Sequence, residues 1–347
     1  MLIPIFLPHY GCKDRCTYCD QRSITNERPD DPYSHISQVL DRKEGPYEIG
    51  LFGGNILGMT HKQLRELFSY FQQYKDKIEN FRISTKPVVL DAEKMNIIKK
   101  NKVTIIELGC PTFNNTILST LNRMHTADDT IESFEFLRTE GFSVALQFMA
   151  GLPDETMSDI RMTVEKMERL NPLYIRIYPL VVLSGTPMGE MHRRGVFVPS
   201  EFETVLDRVV YLYLSALKRG IPVVRMGLSD NELIREHILG GNYHPAYGYL
   251  VKSRAVYKAI IATLESFPKV GEEVTVSLNK VDVPHLIGDK RANLRHFLEK
   301  GISVQWQIRD IPKNTFVIET QGRCIEGQVL DALNTYAEEA RLTSFQP

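Results

Sequence analysis

Through the first half of the chain, short apolar and β-branched runs alternate with stretches whose apolar positions recur at helical spacing. Ile3–Leu7, Ile49–Phe52, Phe81–Ser84, Val103–Leu108, Ser143–Met149 and Leu173–Tyr178 read as strands. Between them, Leu64, Leu67, Phe68 and Phe71 share one helix face, and Asp91 stands where an N-cap belongs. Thr116–Leu121 and Asp128–Thr139 read as helices, the second closed by Gly141. That succession makes about six β-then-α units, the size that builds parallel sheets with right-handed crossovers. A doubly wound sheet and a barrel both fit the pattern. The unusual residues fall just after predicted strands, and in a barrel those loops gather at one face. The expectation is therefore an α/β fold with a partial (β/α)6 TIM-type barrel.

After Gly195 the texture changes. Glu201–Arg219 is amphipathic, Pro222–Met226 reads as one more strand, and Tyr257–Leu264 as a helix. Beyond Pro268 a strand (Glu273–Leu278), a helix (Lys290–Glu299), two strands (Ser303–Ile308, Thr315–Glu319) and a helix (Gln328–Ala340) describe a small α+β domain. The expected organisation is a core barrel over 1–230, a helical extension over 231–267 and the small domain over 268–347. There is no repeat of solenoid period.

Composition narrows the class of protein more than its chemistry. The 347 residues are 43% hydrophobic, and 42 Lys+Arg face 43 Asp+Glu, so the chain is neither disordered nor globally basic. No apolar run approaches a membrane span. Met1–Pro8 lacks a charged n-region and is interrupted by Pro4 and Pro8, so it reads as a strand rather than a signal peptide. The expectation is a cytoplasmic protein with no membrane partner.

The cysteines carry the chemistry. Of five, Cys12, Cys16 and Cys19 stand together in a C-x3-C-x2-C spacing on the loop after the first strand, while Cys110 and Cys324 stand apart. An odd number with such tight spacing is a poor disulfide framework. A closed zinc site wants four ligands, usually in two pairs. A cubane iron–sulfur cluster usually takes four cysteines, so three leave one iron with a free position that invites a ligand. Incidental cysteines, or a zinc site completed from a distance, remain open on the spacing alone.

Pro8-His-Tyr-Gly-Cys12-x3-Cys16-Thr-Tyr-Cys19 resembles the cluster motif of the radical S-adenosylmethionine (SAM) superfamily. The likeness continues, in order, over roughly residues 1–230. Phe52-Gly-Gly-Asn55 is similar to the superfamily's glycine pair. Ser84-Thr-Lys-Pro87, Glu107-Leu-Gly-Cys-Pro111, Asn122-Arg-Met-His125, Gln147-Phe-Met-Ala-Gly-Leu-Pro153 and Arg176-Ile-Tyr-Pro179 with Gly185-Thr186 resemble motifs of the branch related to the Elongator catalytic subunit. The resemblance implies that Cys12, Cys16 and Cys19 hold a 4Fe-4S cluster whose fourth iron chelates SAM, which is cleaved to a 5′-deoxyadenosyl radical. It further implies Tyr18 near the adenine, Gly53 and Gly54 at the amino group, and Arg123 at the carboxylate, with Ser84 and Gln147 facing the ribose or methionine. A flavodoxin, ferredoxin or reductase would supply the electron. The departures are Pro111 for glutamine, Cys110 before it, Lys86 for arginine, and Asn55 after the glycine pair. Cys110 reads as a small core residue or as a further thiol at the barrel mouth.

Two regions lie outside those motifs. Gly240–Tyr249 mixes glycines, tyrosines and His244, and reads either as a loop sealing the barrel or as a stacking surface for a base. Val281–Arg295 is similar to a KH RNA-binding module, whose Gly-x-x-Gly loop clamps a nucleic-acid backbone; here Arg291 replaces the last glycine. Lys290, Arg291 and Arg295 are candidate phosphate contacts, as His244 is a candidate substrate contact. The resemblance favours action on RNA, notably tRNA. The alternatives are a small-molecule or tetrapyrrole enzyme resembling oxygen-independent coproporphyrinogen oxidase, and a non-catalytic iron–sulfur RNA-binding protein. The Elongator-type acetyltransferase domain is not recognisable here.

Overall fold

A computed structural model describes residues 1–26, 31–266 and 273–336, in two compact units: Met1–Phe202 with Ile221–Pro245, and Glu203–Gly220 with Ala246–Pro347. In the first unit the strands are β1 (Leu2–Phe6), β2 (Tyr47–Phe52), β3 (Ile78–Thr85), β4 (Val103–Gly109), β5 (Ser143–Ala150), β6 (Ile175–Pro179), β7 (Val181–Leu183), β8 (Val223–Met226) and β9 (Ile238–Gly241). Seven of them form one parallel sheet in the order β1-β2-β3-β4-β5-β6-β8. This is the partial TIM-type α/β barrel, with Pro222–Met226 supplying a seventh strand beside the six. β7 and β9 pair antiparallel in a small second sheet.

Helix starts follow the sequence closely where a short polar side chain can hold them. Thr60, Thr126 and Thr156 each form a reciprocal capping box, with Gln63, Asp129 and Asp159. Asp91 accepts from the Lys94 N–H at 2.8 Å, as expected of an N-cap. The parallel register sets Ser84 beside Glu107, Gln147 beside Arg176, and Arg176 beside Arg225. Polar side chains from successive strands are thus brought to neighbouring positions within an otherwise apolar sheet.

Several elements differ from the sequence expectation. The short helices Gln21–Thr25, Pro32–Leu40, Pro187–Arg193 and Glu232–His237 had no readable apolar period over so few residues. The helix expected at Tyr257–Leu264 begins at Tyr247. The Gly240–Tyr249 segment is therefore not one loop: it comprises the end of β9, a turn and the first residues of that helix. Tyr247, Val251, Ala255 and Ala259 recur every four residues, but Ser253, Val256 and Ile261 are buried as well, and burial on several faces blurs the 3.6-residue period.

The second unit holds helices Phe202–Lys218 and Tyr247–Glu265 and a four-stranded sheet of β10 (Glu273–Leu278), β11 (Ser303–Ile308), β12 (Thr315–Thr320) and β13 (Arg323–Gln328), ordered β11-β10-β12-β13. The expected helix Gln328–Ala340 is reached only from Val329, since β13 runs to Gln328; residues 337–340 lie outside the described part. Lys258 joins this unit's elements: its ammonium lies 3.1 Å from Asp207 and 4.3 Å from the centre of the Tyr336 ring. Among the described residues no helix is long and apolar enough to cross a membrane.

Candidate active site

The loop after β1 is fixed by backbone contacts before any metal is considered. His9 N–H donates to the Gly53 carbonyl (2.8 Å), Asn55 N–H to Tyr10 (2.7 Å), Cys12 N–H to His9 (3.0 Å) and Cys19 N–H to Cys16 (3.1 Å). Further along, Thr17 N–H donates to Leu121 and Met188 N–H donates to Thr17. The glycines make that approach feasible. A Cβ on Gly54 would stand 2.6 Å from the Tyr10 carbonyl oxygen and 2.8 Å from that of Leu7, and one on Gly11, at φ +72°, would meet the Asn55 oxygen at 2.0 Å. Asn55 joins three segments: its amide donates to Gly11 O (3.3 Å) and accepts from Thr85 Oγ1 (2.7 Å) and Lys86 N (3.0 Å).

Cys12, Cys16 and Cys19 line one cavity of about 620 Å³ in the first unit, together with Tyr18, Gly53, Gly54, Ser84, Arg123 and Gln147. The structure thus brings every cysteine of the triplet and every cofactor candidate to the lining of one cavity. Tyr18 is seated against the apolar cluster of Ile117, Leu121, Leu152 and Met188. Arg123 donates to the Gly109 carbonyl and, at 3.4 Å, to Cys16 Sγ. Gln21 Nε2 donates to Cys19 Sγ at 3.2 Å. Burial pushes the Cys19 thiol up to about 12 and raises Cys12 as well, so as free thiols both resist ionisation.

Do these residues fit a cluster and SAM? Among the described residues no three His, Cys, Asp or Glu side chains converge on a single ion. Three thiols line the cavity and, among the described residues, no fourth Cys or His does, which suits a cubane with one iron left open better than a closed four-ligand zinc site. The buried Arg123 Nε has no protein partner, an orphaned donor beside the triplet that a carboxylate would satisfy. At Gly53, which lines the cavity, a Cβ would meet its nearest neighbour only at 3.5 Å, so this glycine is needed for its φ of +84° rather than for space. The residues fit.

Other predicted positions lie elsewhere. His244 sits in the turn before the helix Tyr247–Glu265 and is not on the cavity wall. Lys290, Arg291 and Arg295 are exposed in the second unit. Lys290 and Arg291 hold consecutive left-handed backbones (φ 46° and 66°), so the expected helix begins only at Ala292. Cys110 is buried, its thiol 3.4 Å from the Thr112 carbonyl and off the wall; it is the small core residue. Pro111 does line the cavity. Glu107 and Arg176, quoted above only as parts of motifs, belong to a charged network that sequence reasoning did not anticipate: Glu107 accepts from Tyr174 (2.6 Å) and pairs with Arg176 (2.9 Å), while Arg82 pairs with Glu48 (3.0 Å). For Arg82 and Glu48 only alternation within the strands could have served as a signal. Arg225 on β8, and Gln21, carried no readable signal.

A cavity lined by three cysteines within a partial TIM-type barrel is the arrangement of a barrel enzyme with thiol ligands for a metal cluster. The chain belongs to the radical SAM superfamily: the superfamily model matches residues 6–167, and that of the radical SAM C-terminal domain matches residues 172–256. The heme chaperone HemW of Lactococcus lactis is 28% identical over 213 residues, 56% of this chain and 55% of that protein. The tRNA uridine(34) acetyltransferase of Methanocaldococcus jannaschii is 33% identical over 132 residues, 37% of this chain and 24% of that protein. The matches therefore span about half of one relative and a quarter of the other. The solved archaeal Elp3 of Methanocaldococcus infernus shares the fold, with a TM-score of 0.55 at 18% identity over 74% of this chain and 62% of that one.

Proposed function

We propose that this protein is a radical SAM enzyme acting on RNA, with a tRNA as the leading substrate. The observation that carries the catalytic part is the gathering of Cys12, Cys16, Cys19, the glycine pair and Arg123 around one cavity. When bound, a 4Fe-4S cluster with SAM supplies one-electron cleavage to a 5′-deoxyadenosyl radical. The chain's own part is positioning. Cys12, Cys16 and Cys19 would hold three irons, and Arg123, anchored on the Gly109 carbonyl, would present its free Nε to the SAM carboxylate. Gly53 and Gly54 would offer backbone to the amino group, Tyr18 its ring to the adenine, and Ser84 and Gln147 polar groups to the ribose or methionine. The apolar cluster behind Tyr18 keeps that side of the cavity dry.

The RNA part is supported by the relative named as a tRNA uridine(34) acetyltransferase and by the exposed Lys290–Arg291 turn with Arg295. The relative named as a heme chaperone favours a second reading, a tetrapyrrole or other small molecule. Anaerobic reconstitution with iron and sulfide, then SAM and dithionite, tests catalysis: 5′-deoxyadenosine should form in wild type and not in Cys16→Ala. Equal yields from the two would end the catalytic reading. For the substrate, RNA that co-purifies with wild type should be lost from Lys290→Ala/Arg291→Ala. Equal weak binding by both proteins would remove the Lys290–Arg291 turn as the docking point.

A further inference from the structure

The cavity wall among the described residues carries four cationic side chains, Lys86, Arg123, Arg176 and Arg225, and one carboxylate, Glu107. Three of the cations have evident work. Arg123 faces Cys16 Sγ, Lys86 stands close enough to Cys12 to favour its thiolate while its Nζ donates to the Asp14 carbonyl at 3.3 Å, and Arg176 is neutralised by Glu107 while lying 5.0 Å over the Phe52 ring. Arg225 is left over. Its Nε donates to the Gly227 carbonyl (3.0 Å) and its Nη2 to Ser229 Oγ (2.8 Å), both uncharged acceptors. The nearest carboxylate in sequence, Asp230, is taken by Arg235 and by the Tyr243 hydroxyl.

A half-buried guanidinium held by two neutral hydrogen bonds is oriented without being neutralised. Its planar fork suits a carboxylate or phosphate. The surroundings raise the cost of leaving it unpaired, for Leu2, Pro4, Val181 and Leu228 contribute apolar wall to the same cavity. The place is also distinct from the expected cofactor contacts. Arg123 follows β4 and Arg225 lies on β8, three strands further along the sheet, roughly 14 Å at ordinary strand spacing. Asn231 Nδ2 donates to the Ile24 carbonyl at 3.0 Å, so the segment after β8 meets the chain that follows the cysteine loop. An anion at Arg225 would therefore share the cavity with the cluster.

We infer that Arg225, oriented by Gly227 and Ser229, binds an anionic group of the substrate, a phosphate or a carboxylate, at the β8 side of the cavity. The inference rests on the cavity being the substrate site of a radical SAM enzyme, but it needs neither turnover nor RNA. Under the RNA reading the group is a nucleotide phosphate; under the tetrapyrrole reading it is a carboxylate.

Isothermal titration of the full chain with uridine 5′-monophosphate and with uridine tests it. Wild type should prefer the monophosphate at least tenfold, Arg225→Gln should lose that preference, and Arg225→Lys should keep part of it. Lys290→Ala/Arg291→Ala should keep it whole, which locates the preference in the first unit. Competition by inorganic phosphate assigns the site to phosphate, and competition by succinate alone assigns it to carboxylate. In the second case the succinate affinity, in place of the monophosphate preference, must fall in Arg225→Gln. A purely structural Arg225 would change the melting temperature and leave selectivity between charged and neutral ligands untouched. Should Arg225→Gln fail to fold, Arg225→Lys with Ser229→Ala serves in its place. Wild type that prefers neither anion, or Arg225→Gln that retains the preference, overturns the inference. Absence of RNA binding by the wild type, with the anion preference intact, would instead count against the RNA reading alone.

Discussion

At the scale of single residues, the site depends on donors aimed at sulfur and on groups kept neutral by burial. Gln21 and Arg123 each donate to a cysteine of the triplet. Hydrogen bonds to cluster sulfurs stabilise the more reduced, more negative state. Gln21→Leu should lower the midpoint potential of the reconstituted cluster by about 40 mV, which is about 1 kcal/mol for one electron. A dithionite titration followed by electron paramagnetic resonance reads that shift, and an unchanged potential would remove Gln21 from the role. His125 is a different case. Burial, reinforced by Arg123 and Lys86, pushes it down to about 3, so it folds neutral. Its contribution to stability is complete above pH 6.5 and is lost as pH falls from 6.5 toward 3, because the unfolded chain takes up the proton first. Through that window the metal-free protein should lose about 1.4 kcal/mol per pH unit to this group. Urea titrations at several pH values should show a correspondingly flatter profile in His125→Asn.

At the scale of elements, the parallel strands were legible and the short connecting pieces were not. β-branched runs and the Asp91 cap announce themselves locally, whereas the Thr-x-x-Asp cap at Thr156 stood in plain view of a helix, Met157–Leu170, that was not among the expected elements. The helix Tyr247–Glu265 was half hidden because apolar residues on several faces erase the periodicity that reveals a helix. The site divides the same way. Its cysteines and glycines are readable because their spacing is local. Glu107, Arg176 and Arg225 converge only through the register of β4, β6 and β8, which no single stretch of sequence encodes. The glycine pair acquires a second meaning at this scale. Gly54 is required by the cysteine loop that packs on it, whatever a cofactor needs. Gly54→Ala should cost about 1–3 kcal/mol, through displacement of the Tyr10 and Leu7 carbonyls, and should reduce iron incorporated per chain. Thermal melts with iron analysis check both; full iron content in a stable variant would show that the loop tolerates the shift.

At the scale of the whole molecule, a formal charge of −1 means that an RNA must be recognised through local patches, such as the turn at Lys290 and Arg291. The ordered cysteine loop has a broader consequence. Small zinc domains fold only when the metal arrives, because the metal is their framework. Here the framework is the Gly53 and Tyr10 carbonyls, Asn55 and the Leu121 carbonyl, all of which act without iron. The cluster-free protein should melt within a few degrees of the loaded one, as differential scanning calorimetry under argon would show; a large gap would mean that iron builds the loop. A loop held by backbone hydrogen bonds would not have to fold around its metal, so loading the cluster would be a filling step rather than a folding step.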